Sequence, residues 1–182
     1  MAARISRLNP NFWDEGVPDF DGKFVTAMAV AKEEFLAELL IGFMSSFASM
    51  PIVREAFGDR FTHDASGQIV VLKKSCYWKE ALFDLEKEQK CEGLVKYMLY
   101  EDSASGEWRV QAVPKQLGTF ENRGALKEEW RGFDAAKIRE LSGLEDAVFC
   151  HHSGFIGGCK SFGNTLKMAK ISLEALATPK ED

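Results

Sequence analysis

Histidine, cysteine and net positive charge are all scarce in this chain of 182 residues, and each scarcity excludes something. The three histidines (His63, His151, His152) and four cysteines (Cys76, Cys91, Cys150, Cys159) include no Cys-x-x-Cys pair, so a His-rich or Cys-rich metal centre is hard to assemble. The sequence read by itself assigns no metal ligand. An even cysteine count invites a disulfide reading, but no secretory apolar segment opens the chain, and reduced, mostly buried thiols in an intracellular protein are expected. Acidic residues outnumber basic ones 28 to 23, a net charge of −5, which excludes a broadly basic nucleic-acid clamp and leaves only a local patch for a polyanion. The most apolar run, Leu39 to Met44, is far shorter than the roughly 20 residues of a bilayer helix, so no membrane contact is expected. The opening MAARISRLNP is basic and free of acids, but too short for a transit peptide, and reads as the edge of the folded body.

What is present is an ordinary globular composition, 46 % hydrophobic and 28 % charged. The length suits one domain over residues 1–182, with a helical N-terminal part over 1–57. Helical spacing of Phe24, Met28, Phe35, Leu39 and Phe43 predicts a long amphipathic helix near 22–49, with Asp21 as its N-cap. Pro51 then fits the start of a second, short helix through Phe57. The turn Asp64-Ala65-Ser66-Gly67 feeds a β-branched strand at 68–72, and a helix carrying Leu82, Phe83 and Leu85 follows Trp78. Two strand-like runs, 94–100 and 107–113, flank Asp102-Ser103-Ala104-Ser105-Gly106, a hairpin signal. After an irregular stretch come a helix at 134–141, a short strand at 147–150 and a last helix at 161–177. The class is α+β (mixed α/β): one mixed sheet with an antiparallel hairpin, flanked by helices.

The segment between that short strand and the last helix, His151-His152-Ser153-Gly154-Phe155-Ile156-Gly157-Gly158-Cys159-Lys160-Ser161, carries the main chemical signal. Glycines let backbone approach a ligand closely, and a following helix offers unpaired amides to an anion. Ser153, Ser161 and Lys160 would complete a phosphate cradle. A Gly-rich turn also forms with no ligand, and the spacing matches neither a P-loop nor a dinucleotide fingerprint. His151 and His152, leaving a strand, are expected to point opposite ways, so that one faces the loop and hydrogen-bonds a phosphate or the loop backbone. Arg109, Lys115, Arg123 and Arg131, with Trp108 and Trp130 beside two of them, could form a basic groove for single-stranded nucleic acid, or a hairpin that packs its tryptophan inward. A Cys159–His151 hydrolase would need a thiol of lowered pKa.

Five motifs occur in order: Arg7-Leu8-Asn9-Pro10, Cys76-x-Trp78-Lys79-Glu80, Trp108-Arg109-Val110-Gln111-x-Val113-Pro114-Lys115, Trp130-Arg131-Gly132 and His151-x-Ser153-Gly154-Phe155-Ile156-Gly157-Gly158. Together they resemble the C-terminal half of the Myg (melanocyte proliferating gene) exonuclease family, nearly end to end. The resemblance implies a relation to DHH phosphoesterases and a 3′–5′ RNA exonuclease activity in mitochondrion and nucleus. It places the divalent metal, Mn or Mg, and the catalytic residues in an N-terminal half outside this chain. This chain would then be the substrate-binding domain, taking phosphate, nucleotide or single-stranded RNA through His151, Ser153, Gly154, Gly157, Gly158 and Lys160, with Arg109, Lys115 and Arg131 beside them. Its partner would be that metal-bearing half, in cis or in trans, and a homo-oligomer is compatible with it. Cys159 and Ser161-Phe162-Gly163-Asn164-Thr165 depart from the family's usual residues after the glycines. Those departures and the acidic charge keep a second reading open, a non-catalytic binding or assembly module.

Overall fold

The computed structural model describes residues 2–178 apart from 12, 14, 15, 17 and 18. The chain divides into two compact units, Met1–Ser45 and Ser46–Asp182.

The first unit holds a short helix, α1 (Ala2–Ser6), and most of a long one, α2 (Phe20–Gly58). Arg4 ties the two by pairing with Glu34 at 3.2 Å. Asp19, not Asp21, caps α2: its Oδ1 accepts the Gly22 amide at 2.9 Å, the donor three residues on that a capping side chain reaches. Helix α2 runs for 39 residues without a break, and Pro51 lies inside it instead of opening a second helix. Pro51 withholds one amide from the ladder, and burial of Val53, Ala56 and Phe57 just beyond it stabilises the continuing helix. The expected single apolar stripe is absent as well. Phe24, Met28, Phe35, Leu39 and Phe43 are exposed, and so are Val25, Leu36, Leu40 and Ile41 off that line. The length expectation also changes: α2 is long and apolar enough to cross a membrane by length and composition, with a stretch of mean hydropathy 1.6.

The second unit is built on five strands, β1 (Ile69–Val71), β2 (Tyr97–Glu101), β3 (Trp108–Ala112), β4 (Ala147–Cys150) and β5 (Ile156–Cys159), in the order β1-β2-β3-β5-β4. Only β1 and β2 are parallel, and the helix α4 (Trp78–Glu88) makes the crossover between them. The other pairs are antiparallel. The β2–β3 hairpin falls where the sequence predicts it. Its turn is closed by Asp102, whose Oδ1 accepts the Ala104 amide at 2.9 Å, and by Gly106 at φ +69°. A short helix, α3 (Arg60–His63), precedes β1, a 3-10 turn spans Glu128–Trp130, and α5 (Ala135–Ser142) and α6 (Phe162–Ala177) complete the set. Helix α5 is closed at both ends: Asp134 accepts the Lys137 amide, and Gly143 turns left-handed at φ +69°.

Strand alternation sorts the core onto two faces of the sheet. Ile69, Val71, Tyr97, Leu99, Val110 and Cys159 meet Ile138 of α5 and Met168 and Ala169 of α6. Val70, Leu72 and Met98 meet Val53 and Phe57 of α2 and Trp78, Leu82 and Leu85 of α4. The fold is thus a mixed α/β arrangement, one open mixed sheet flanked by helices and a long N-terminal helix, as the sequence pattern implies.

Candidate ligand-binding cleft

The segment predicted as a Gly-rich loop is mostly strand. Residues 151–155 form the β4–β5 turn, and Ile156-Gly157-Gly158-Cys159 is β5, bonded on both sides. These glycines answer to packing. A Cβ on Gly157 would stand 2.9 Å from the Leu126 Cδ1 and 3.0 Å from the Phe149 carbonyl oxygen, and one on Gly158 would overlap the Trp108 carbonyl oxygen. Gly154 sits in the turn at φ +68°, and a Cβ there would lie 2.6 Å from the Arg131 Nε.

The α6 N-terminus carries its own carboxylate. Ser161 caps the helix through the Asn164 amide, and Asp146 Oδ2 accepts the Ser161 amide at 2.8 Å while its Oδ1 accepts from Asn164 Nδ2 at 2.8 Å. Burial works to raise the Asp146 carboxyl, but hydrogen bonds from Ser161 and Asn164 outweigh it and hold the group below its ordinary value. An anion approaching this helix end would meet that negative charge. Lys160, exposed, bonds the Asp146 carbonyl through its own amide at 3.1 Å.

The basic residues are not drawn into one groove. Arg109 pairs with Glu107 at 2.9 Å and Asp102 at 3.3 Å, with its guanidinium 5.1 Å from the Phe149 ring centre and its Nη1 buried without a partner. Lys115 pairs with Glu121 at 3.0 Å. Arg123 is buried against Glu86 at 2.7 Å and donates to the Val95 carbonyl at 3.0 Å. Arg131 donates from Nε to the Leu126 carbonyl at 2.7 Å, and borders a hollow of about 570 Å³ with Lys127 and Ser172. Local acids or backbone oxygens thus engage each of the four. The tryptophans pack: Trp130 is buried, and Trp108 lies 4.8 Å from the Phe162 ring centre.

His151 and Ser153 line a different space, a cleft of about 600 Å³ walled by Lys79 at the start of α4, Gln111 of β3, Pro114, the 118–122 segment and Phe155. The two histidine rings do not diverge as expected: His151 and His152 stack at 4.2 Å between centres, because the chain turns directly after β4 and no longer alternates. Phe155 meets the His151 ring edge-on at 4.6 Å. The Ser153 amide donates to His151 Nδ1 at 3.2 Å and the Ser153 hydroxyl lies 3.0 Å from the same nitrogen. An Nδ1 that accepts makes Nε2 the proton-bearing nitrogen of the neutral ring, so His151 offers a donor. Tyr100 donates to Gln111 Oε1 at 2.9 Å, which orients that amide. Phe120, on the same wall, is fully exposed. A cleft with exposed aromatic faces, amide groups, an imidazole donor and one lysine suits a planar, polar, anionic guest.

Sequence reading found His151 and Ser153, and Gln111 within a family motif, but passed over Phe120 and Asn122. Their chemistry is ordinary, and the bridge between Pro114 and Asn122, with the Lys115 amide donating to the Glu121 carbonyl at 2.7 Å, brings their segment to the cleft wall. The Cys159–His151 hydrolase is excluded: burial pushes the Cys159 thiol up to about 12, and its side chain is fully enclosed. All four cysteines are free thiols. Among the described residues, no group of three or more His, Cys, Asp or Glu side chains gathers where a metal ion could sit.

Fold and cleft together define the class: an open-sheet α/β chain with a polar, aromatic-walled cleft at the carboxyl-terminal side of β3. Comparison with known proteins narrows it. The family model of the MYG1 exonucleases, described as "Uncharacterised protein family (UPF0160)", matches residues 1–173, and the chain belongs to that family. The MYG1 exonuclease of Rattus norvegicus is 39 % identical over 180 residues, covering 98 % of this chain and 47 % of the relative. The MYG1 exonuclease of Homo sapiens is 38 % identical over 174 residues, 95 % of this chain and 46 % of the relative. The MYG1 protein of Dictyostelium discoideum is 38 % identical over 171 residues, 93 % and 51 %. The chain therefore spans about half the length of the curated relatives it matches. No solved structure matches it.

Proposed function

We propose that this chain is the substrate-binding half of a MYG1-type, metal-dependent 3′–5′ RNA exonuclease related to the DHH phosphoesterases, and that a strand end of RNA or a nucleotide occupies the cleft. One observation carries the reading. Three of the five family motifs, far apart in sequence, send residues to this one cleft: Lys79 from the second, Gln111 and Pro114 from the third, and His151, Ser153 and Phe155 from the fifth. The exposed ring of Phe120 suits stacking of an unpaired base, and Lys79 with the His151 Nε2 donor suits a phosphate. Divalent metal and water activation then belong to the other half of the relatives' length, and no catalytic step is assigned to this chain. Gly154 and Arg131 support the turn that carries His151, while Arg109 and Lys115 serve their local ion pairs.

Binding of a short, labelled single-stranded RNA, followed by fluorescence anisotropy at low salt, tests the reading. Phe120→Ala and Lys79→Glu should each weaken binding by about tenfold, and affinity should fall as salt rises. Lys160→Glu should matter far less. The acidic net charge favours a second reading, an assembly module without substrate, and absence of RNA binding at low salt with wild type would select it.

A further inference from the structure

From the N-terminal part of α2 we infer a docking helix whose occupant is the polypeptide half of the MYG1 family that this chain does not span. Phe24, Phe35, Leu36, Leu39, Leu40 and Ile41 are 50–64 % exposed. Leu39, Leu40 and Ile41 are consecutive, so they point about 100° apart, and no single stripe holds them. A helix apolar all round is a buried helix, either inside a protein body or in a bilayer.

Charge and packing decide against the bilayer, although α2 is long enough to cross one. Upstream, Lys32, Glu33 and Glu34 close the apolar stretch, and downstream Ser49 and Val53 are already buried in the protein. Between these limits Glu38 puts a carboxylate inside the apolar stretch, a group that a hydrocarbon core accepts only at a cost of several kcal/mol. A second copy fits poorly too, because a pair of helices covers one stripe on each and leaves the opposite side wet. An all-round apolar helix needs several elements around it. The relatives have the length for them: the matched region of 180 residues is 47 % of the rat protein, so a further stretch of similar length accompanies it there. Joined in one chain, the two halves meet at high effective concentration.

The inference rests on the reading that this chain works with that other half, and it adds the surface and the residues. The test is co-expression of the intact 182-residue chain, tagged, with the segment of rat MYG1 exonuclease that it does not span. Expected is a soluble 1:1 complex that co-purifies. Leu36→Asp combined with Leu40→Asp should weaken it by at least about tenfold, while Trp78 and Trp130 fluorescence keeps its native emission. A segment that stays insoluble beside the wild-type chain, or one that co-purifies equally well with the double variant, overturns the inference. So does binding of the chain alone to phosphatidylglycerol-containing vesicles, or self-association in light scattering that the double variant abolishes. Phe120→Ala should leave docking intact, so loss of RNA binding alone refutes the cleft and not the helix.

Discussion

Glu86 and Arg123 lie 2.7 Å apart with side chains only 1 % and 6 % exposed, and between them they join α4, the entry to β2 and the segment behind the cleft. Glu86 also accepts the Val95 amide at 2.9 Å, and Arg123 donates from Nε to the Pro114 carbonyl at 3.1 Å, with its guanidinium 4.6 Å from the Phe83 ring centre. Removing one partner strands a charge in the interior. Glu86→Ala should cost about 3–5 kcal/mol in urea unfolding, and Glu86→Met with Arg123→Met considerably less. A double variant as unstable as the single one would refute the pairing as the source of the loss.

Gly158 should not tolerate a methyl group. Its Cβ would meet the Trp108 carbonyl oxygen, which belongs to the neighbouring strand and cannot swing away. Gly158→Ala should lose about 2–3 kcal/mol or fail to fold. Gly163→Ala, with open space around it, should be neutral in the same thermal melt. Equal stability of the two variants would argue against a packing role for Gly158.

Asp146 should make stability depend on acid. Its carboxyl is held below the ordinary value, so the folded state binds the proton less readily than the unfolded chain. The contribution is therefore complete above the unfolded pKa of about 4 and fades as pH falls through the lower folded value. Asp146→Ala should cost about 1 kcal/mol at pH 7, as other lost caps do, and that deficit should shrink towards pH 3. A pH-independent deficit in paired denaturant titrations would sink the assignment.

Thiol chemistry separates core from surface. Burial pushes the Cys150 thiol up to about 11 and the Cys159 thiol up to about 12, whereas Cys76 and Cys91 are partly exposed. Iodoacetamide at neutral pH, with sites read by mass spectrometry, should modify Cys76 and Cys91 first and reach the other two only on unfolding. Fast modification of Cys159 in the native chain would overturn this order.

The fold was more legible than the cleft. Turn chemistry at Asp64–Gly67 and Asp102–Gly106 marked the element ends, because those residues impose backbone geometry locally. Alternation could not tell that Gly157 and Gly158 lie within a strand, since glycine carries no side chain to reveal a period. Charge was misleading for a related reason. Arg109, Arg123 and Lys115 look free in sequence, but Glu107, Glu86 and Glu121 meet them only after folding. Helix α2 defeated the periodicity test at Pro51, where burial outweighed a local breaker. The cleft itself depends on where the 118–122 segment lies, and no local rule encodes that.

The strand order also sets a timetable for synthesis. Of the five strands β5 is made last, yet it is inserted between β3 and β4, and among the described residues β4 pairs with no other strand. A nascent chain that has emerged only through Cys150 therefore exposes an unpaired β3 edge and a detached β4. The sheet closes when Ile156–Cys159 leaves the ribosome, so folding of this unit waits for its last strand. Truncations that stop short of Cys159 should be substrates for chaperones or proteases, even though every residue of the hairpin before them is intact.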